Sequence, residues 1–75
     1  MTLDEFVKVV AGEFENTPAS EFTAQTHFRE LEEWSSLLAL SVISSIDDEF
    51  DVILTGADIR ASKTIEDLYN IALSK

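Results

Sequence analysis

Three segments of the chain begin with the same helix-start signal. A threonine is followed three residues later by an acidic residue at Thr2–Glu5, Thr55–Asp58 and Thr64–Asp67. In this arrangement, the capping box, the threonine hydroxyl accepts a bond from a free backbone N–H and the acid accepts one from the cap residue. No segment shows the sustained alternation of a β-strand. The sequence therefore predicts an all-α fold, a small bundle of three main helices plus one short helix.

The helices are separated by one long and two short connections. Capping signals and helical spacing predict helices over residues 3 to 15, 36 to 50, 56 to 60 and from about 65 onward. In the connection over residues 16 to 34, Thr17 and Pro18 are expected to cap and open a short helical turn. Three apolar side chains would hold this ordered loop against the core: Phe22, Phe28 and Leu31.

The second helix is expected to contribute an inner stripe to one shared core. That stripe is Leu37, Leu40, Ile43, Ile46 and Phe50, with Val42 at its edge. Leu38 falls outside the stripe, so we expect its side chain to be exposed. The predicted core as a whole comprises Phe6, Val7, Val10, Leu40, Ile43, Ile46, Phe50, Leu68 and Ile71.

Charge and length limit the location and the partners. Fifteen acidic residues against five basic ones give a net charge of −10, which repels nucleic acids and anionic membranes and favours partners with basic patches. The chain has no cysteine, so disulfides and thiolate metal sites are excluded. Its 75 residues allow a single domain, 1–75, and no apolar run approaches the ~20 residues that span a bilayer. We expect a monomeric, free-standing, cytoplasmic protein.

An enzymatic function has little support in the sequence. His27 is the only histidine and lies in the predicted loop. Glu30, Glu32 and Glu33 are most simply a solvated face, and there is no glycine-rich phosphate loop or cluster with metal-ligand spacing. We therefore expect no catalytic residue and no metal site.

A pair of serines precedes the apolar run of the second helix. Ser35 fits the N-cap position, where its hydroxyl can accept a bond from a free N–H. Ser36 would lie in the first turn, near the positive end of the helix, where a phosphate group is favoured. The simplest alternative is that both serines are only cap residues.

The order of these elements resembles the acyl carrier protein family over essentially the whole chain. The family motif is Asp-Ser-Leu, and the matching residues are Ser35-Ser36-Leu37. The segment Phe28-x-x-Leu31-x-x-Trp34 resembles the approach to that motif, and Asp48-Glu49-Phe50 resembles the acidic end of the second helix in the family.

The resemblance implies that Ser36 carries a covalent 4′-phosphopantetheine arm derived from coenzyme A. The arm holds acyl groups as thioesters, and a phosphopantetheinyl transferase attaches it. The carrier would then deliver acyl groups to acyl-transferring, ligating or condensing enzymes with basic docking patches. Fatty acid, polyketide and specialised lipid biosynthesis all use such carriers.

Ser35 departs from the family pattern, which has aspartate at that position. Serine preserves the cap but removes a charge beside the site where the transferase docks. The departure favours an alternative, a carrier-like helical interaction module that is not modified. Under the carrier hypothesis, five residues of the second helix and its cap are expected to contact partners: Ser35, Leu37, Leu38, Asp47 and Asp48.

Overall fold

The computed structural model describes all 75 residues, and its regular structure is entirely helical. Two 3₁₀ turns, at Ala19–Glu21 and Phe28–Glu30, interrupt the long connection. The four α-helices are α1 Leu3–Gly12, α2 Ser36–Phe50, α3 Gly56–Ala61 and α4 Ile65–Leu73. The all-α prediction of three main helices and one short helix is confirmed. None of the helices has both the length and the apolar character needed to cross a bilayer.

The three predicted capping boxes all form. At the start of α1, the Thr2 hydroxyl accepts a bond from the Glu5 N–H (3.2 Å), and the Glu5 carboxylate accepts one from the Thr2 N–H (2.8 Å). Reciprocal bonds of the same kind begin α3 at Thr55–Asp58 and α4 at Thr64–Asp67. The bond from the Thr2 N–H also lowers the pKa of Glu5, because it favours the charged carboxylate.

Helix α1 is shorter than the sequence predicts. It ends at Gly12 rather than near residue 15. The N–H groups of Glu13 and Phe14 then bond to carbonyls three residues back, those of Val10 (3.2 Å) and Ala11 (3.1 Å). This tighter turn keeps Phe14 buried, which explains why the apolar spacing extends beyond the α-helix itself.

The long connection is ordered and is held against both the core and α4. Phe22 and Phe28 are buried, and Leu31 packs half-buried against the core, as predicted. The short turn begins one residue later than expected, with Pro18 in extended conformation at its N-cap position. In the middle of the loop, the carbonyls of Thr26 (3.2 Å) and Ala24 (2.9 Å) accept bonds from backbone N–H groups of α4. These bonds fix the loop to the start of α4.

The predicted inner stripe of α2 was partly wrong. Leu37 and Leu40 are 74% and 64% exposed, whereas Val42 is fully buried and Leu38 is half-buried against the core. Leu40 therefore does not belong to the core, and Leu38 is not an exposed residue. The reason is that residues 37 to 46 carry apolar side chains on almost every side of the helix, so spacing alone does not determine which row faces inward. In the structure, the i, i+4 row through residues 38, 42 and 46 faces the core.

One continuous core joins α1, α2, α3, α4 and the loop. Phe6 lies at its centre, stacked on Phe50 of α2 (6.1 Å between ring centroids) and edge-on to Tyr69 of α4 (5.5 Å). Of the other predicted core residues, Val10, Ile46 and Leu68 are buried, and four lie half-buried at its margin: Val7, Ile43, Phe50 and Ile71.

Truncations on the two faces of α2 should have unequal effects on stability. We expect Ile46→Ala to lower the free energy of unfolding by about 2–5 kcal/mol, because Ile46 is fully buried and its loss leaves a cavity. Leu40→Ala should change it by less than about 0.5 kcal/mol. Urea unfolding followed by circular dichroism measures both, and similar losses for the two variants would contradict the observed orientation of α2.

Candidate functional site

The two adjacent serines have different roles at the start of α2. Ser35 is the N-cap: its backbone is extended, and its hydroxyl accepts a bond from the Leu38 N–H (3.1 Å). Its carbonyl accepts the first helical bond, from the Ala39 N–H (3.0 Å). Ser36 is the first helical residue, is exposed, and its hydroxyl has no hydrogen bond within the chain. The N-cap prediction for Ser35 is confirmed, and of the two hydroxyls only that of Ser36 takes no part in a hydrogen bond within the chain.

Trp34 holds the backbone in place immediately before the serine pair. Its half-buried ring lies against Phe28 in an edge-to-face contact (5.2 Å between centroids) and is stacked near Phe14 (6.1 Å). Its backbone N–H bonds to the Leu31 carbonyl (3.0 Å). The tryptophan therefore connects the start of α2 to both the end of α1 and the loop. Sequence reasoning used this residue only as part of a motif and missed its structural role.

Glu33 is a structural hydrogen-bond acceptor, so its assignment to a solvated face was wrong. Its carboxylate accepts bonds from the N–H groups of Glu15 (2.7 Å) and Asn16 (3.1 Å) and from the Thr17 hydroxyl (3.0 Å). Partial desolvation raises the pKa of Glu33, but these hydrogen bonds together outweigh it and lower the pKa below its ordinary value. Glu33 thus binds the segment after α1 to the chain at a position two residues before the cap of α2. Glu30 bonds instead to His27 Nδ1 (2.7 Å).

The lowered pKa of Glu33 predicts a specific pH dependence of stability. Since the folded-state pKa lies below the unfolded value of about 4.5, its contribution is complete above that pH and is lost as the pH falls through the folded-state pKa. We expect Glu33→Gln to lower the melting temperature at neutral pH. The difference in melting temperature between this variant and the chain without the substitution should shrink as the pH falls below about 4.5. Glu32→Gln removes the same charge from an exposed position and is the matched control. Identical pH profiles for the two variants would contradict the role of Glu33.

Ser36 lines an open groove between α2 and α3. The groove has a volume of about 600 Å³, and its apolar walls include Trp34, Leu40, Ile43 and Ile59. The exposure of Leu40 is explained by this position, because its side chain forms a wall of the groove rather than part of the core.

The residues predicted to contact partners are divided between the two ends of α2. Ser35, Leu37 and Leu38 line one shallow cleft together with Glu13, Glu15 and Glu33. Asp47 and Asp48 are exposed near the C-terminal end of the helix, about 16–18 Å from Ser36 along the helix axis at 1.5 Å per residue. The structure therefore brings the first three together and keeps the two aspartates apart from them. No group of three or more acidic or histidine side chains is placed to hold a metal ion.

Comparison with known proteins identifies the family. A family model described as a phosphopantetheine attachment site matches residues 5–71. No match was found among curated proteins or among solved structures. The chain belongs to the phosphopantetheine attachment site family, whose domains carry covalently attached 4′-phosphopantetheine. The family and the cofactor expected from the sequence are thereby confirmed.

The surroundings of Ser36 fit such a group. The hydroxyl is exposed and free of internal hydrogen bonds at the first turn of a 15-residue helix. A phosphodiester at this position would lie near the positive end of the helix, where negative charge is favoured. The groove beside the serine offers apolar walls to whatever extends from it.

Proposed function

We propose that this chain is an acyl carrier protein whose 4′-phosphopantetheine arm is attached to Ser36. The observation that carries the proposal is the free, exposed hydroxyl of Ser36 in the first turn of α2, in a chain that matches the phosphopantetheine attachment family. The carrier delivers acyl groups to partner enzymes of fatty acid, polyketide or specialised lipid biosynthesis. We place it, as a single domain, in the cytoplasm.

Ser36 acts as a nucleophile in one step only. Within a phosphopantetheinyl transferase, the Ser36 oxygen attacks the phosphorus of coenzyme A that bears the pantetheine. The new P–O bond forms as the pyrophosphate linkage breaks, adenosine 3′,5′-bisphosphate leaves, and the hydroxyl proton passes to the transferase. When bound, the arm supplies a thiol that holds an acyl group as a thioester. The chain's own residues position the attachment point and are not catalytic under this proposal.

The cap and the aromatic contacts hold that attachment point in place. The Ser35 hydroxyl bonds to the Leu38 N–H and so fixes the first turn on which Ser36 lies. Trp34 holds the preceding segment against Phe14 and Phe28. A nucleophile on a fixed first turn is presented to the transferase without the entropic cost of ordering a loop.

Partner enzymes are proposed to contact α2 along its length. Leu37, exposed beside Ser36, supplies apolar contact near the arm, with Leu38 contributing only its accessible part. Asp47 and Asp48 act from the far end by attracting basic patches, which mainly affects association rates. The transferase and the acyl-transferring, ligating or condensing enzymes are the proposed partners.

The second candidate is a carrier-like interaction module that is never modified. The observation that favours it is the uncharged Ser35 directly before Ser36, where the resemblance leads one to expect aspartate. In this case the fold and the docking surfaces would serve a purely binding role.

Intact-mass measurement distinguishes the two candidates. We expect incubation with coenzyme A, magnesium and a broad-specificity phosphopantetheinyl transferase to add the mass of one phosphopantetheine group. An established carrier protein treated in parallel shows that the transferase is active. No mass gain in this chain, with complete conversion of the control, would support the unmodified module.

A further inference from the structure

The groove beside Ser36 is the one place where arginine side chains gather. The chain has two arginines, Arg29 and Arg60, and both line this groove. They come from distant parts of the sequence, Arg29 from the second 3₁₀ turn and Arg60 from the last turn of α3. The protein has a net charge of −10, so the two arginines make the groove a local region of positive charge.

Neither arginine is paired with an acid. The ion pairs of the structure are His27–Glu30 (2.7 Å) and Lys75–Asp58 (2.8 Å). These pairs engage the acids nearest in sequence to the two arginines, since Glu30 follows Arg29 and Asp58 precedes Arg60 by two residues. Both guanidinium groups therefore remain available to an external anion.

The geometry of each arginine keeps it at the groove. Arg29 Nε donates a bond to the Ser62 carbonyl (2.9 Å), which fixes the guanidinium while leaving its terminal nitrogens without a partner. Arg60 lies back along α3, with Nη1 only 3.2 Å from the position that a Cβ would occupy on Gly56. The absence of a side chain at Gly56, itself a groove residue, gives the guanidinium its room.

The walls and the charges together specify the chemistry of the occupant. Apolar side chains, among them Leu40, Ile43 and Ile59, suit a carbon chain. Arginine's planar fork of N–H donors matches the two oxygens of a carboxylate. An occupant that uses both features has an aliphatic body and an anionic end.

We propose that the groove selects acyl cargo with a terminal carboxylate, held on the arm of Ser36, with Arg29 and Arg60 binding that carboxylate. The proposal rests on the carrier function proposed above. It defines the cargo as the half-thioester of a dicarboxylic acid rather than a simple fatty acyl group. Because both arginines are exposed, the interaction should weaken with rising salt concentration.

A matched pair of cargoes tests the proposal. A broad-specificity transferase can load adipoyl- and hexanoyl-phosphopantetheine from the corresponding acyl-coenzyme A, giving carriers that share a six-carbon chain but differ in the terminal carboxylate. Intact mass confirms each loading before thermal unfolding is measured. We expect the adipoyl form to melt higher than the hexanoyl form by about 1–8 °C, the range that an exposed ion pair produces in a domain of this size.

Variants assign this difference to the arginines. Arg60→Gln and Arg29→Gln should each reduce the adipoyl–hexanoyl difference by half or more, whereas Lys63→Gln, which removes a charge outside the groove, should preserve it. Comparing the two cargoes within each variant cancels any general loss of stability, including the loss of the bond from Arg29 to Ser62. The difference should also shrink when salt is raised to about 0.5 M.

The outcomes separate the two levels of the proposal. Absence of the mass gain would overturn the carrier function and this inference with it. Complete loading with equal melting temperatures for both cargoes would overturn only the carboxylate selection, leaving the arginines to the phosphodiester of the arm or to an acidic partner. A difference that persists in both arginine variants would also overturn it.

Discussion

Ser36→Ala is expected to abolish attachment of the phosphopantetheine arm completely. The variant removes the hydroxyl that has no hydrogen-bond partner and keeps the cap of α2, which belongs to Ser35. Its fold and melting temperature should therefore remain close to those of the chain without the substitution, because alanine is a good helix former at an exposed position. Intact mass after treatment with coenzyme A and transferase measures the loss, and circular dichroism verifies the fold.

The neighbouring serine provides the matched control. Ser35→Ala should still be loaded, but it should lose about 0.5–2 kcal/mol of unfolding free energy with the cap. Ser35→Asp preserves a cap residue and restores the acidic charge before the site, so we expect faster loading by a generic transferase. Loading of Ser36→Ala together with failure of Ser35→Ala would move the attachment site to Ser35.

Phe28→Ala is expected to be the most destabilising single truncation in the loop, with a loss of about 3–5 kcal/mol. Phe28 is fully buried, and its ring contacts Trp34 edge-on. A 75-residue domain has a total stability of roughly 4–11 kcal/mol at about 0.05–0.15 kcal/mol per residue. The loss is therefore a large fraction of the total, and the variant should have a markedly lower urea midpoint and melting temperature than the chain without the substitution.

Two further variants separate the causes of that loss. Leu37→Ala removes an exposed side chain and should change stability by no more than about 0.5 kcal/mol. Phe28→Leu keeps much of the buried area but removes the aromatic contact with Trp34, so its loss should be smaller than that of Phe28→Ala. A change near zero for Phe28→Ala would show that the loop is not held by this side chain.

Local signals in the sequence predicted the helices well. The bounds of α2 agree with the prediction, because Ser35 caps one end and the apolar spacing stops at Phe50. Helix α2 is then closed by Asp51 in the left-handed conformation (φ 56°), a conformation that aspartate tolerates better than most residues. Caps depend on residues three or four apart, which is why they can be recognised without a structure.

The face of α2 and the contacts of Glu33 could not be predicted in the same way. In a helix with apolar residues on most sides, tertiary packing selects the buried row, and here it selected Val42 rather than Leu40. Glu33 bonds to backbone groups 17 and 18 positions away. Arg29 and Arg60 line one groove because the second 3₁₀ turn lies against the end of α3, where Arg29 bonds to the Ser62 carbonyl. Each of these features depends on separations that no local pattern encodes.

The cleft and the groove on either side of the serine pair carry opposite charges, so this end of the molecule is electrostatically asymmetric. Glu13 and Glu15 line the cleft on one side, the two arginines line the groove on the other, and Ser35 borders both. A rigid protein that approaches with a basic edge is attracted on the first side and repelled on the second. It therefore experiences an electrostatic torque before contact, which favours the orientation that places its basic edge on the first side. A partner with an acidic edge would be turned the opposite way, with that edge towards the arginines.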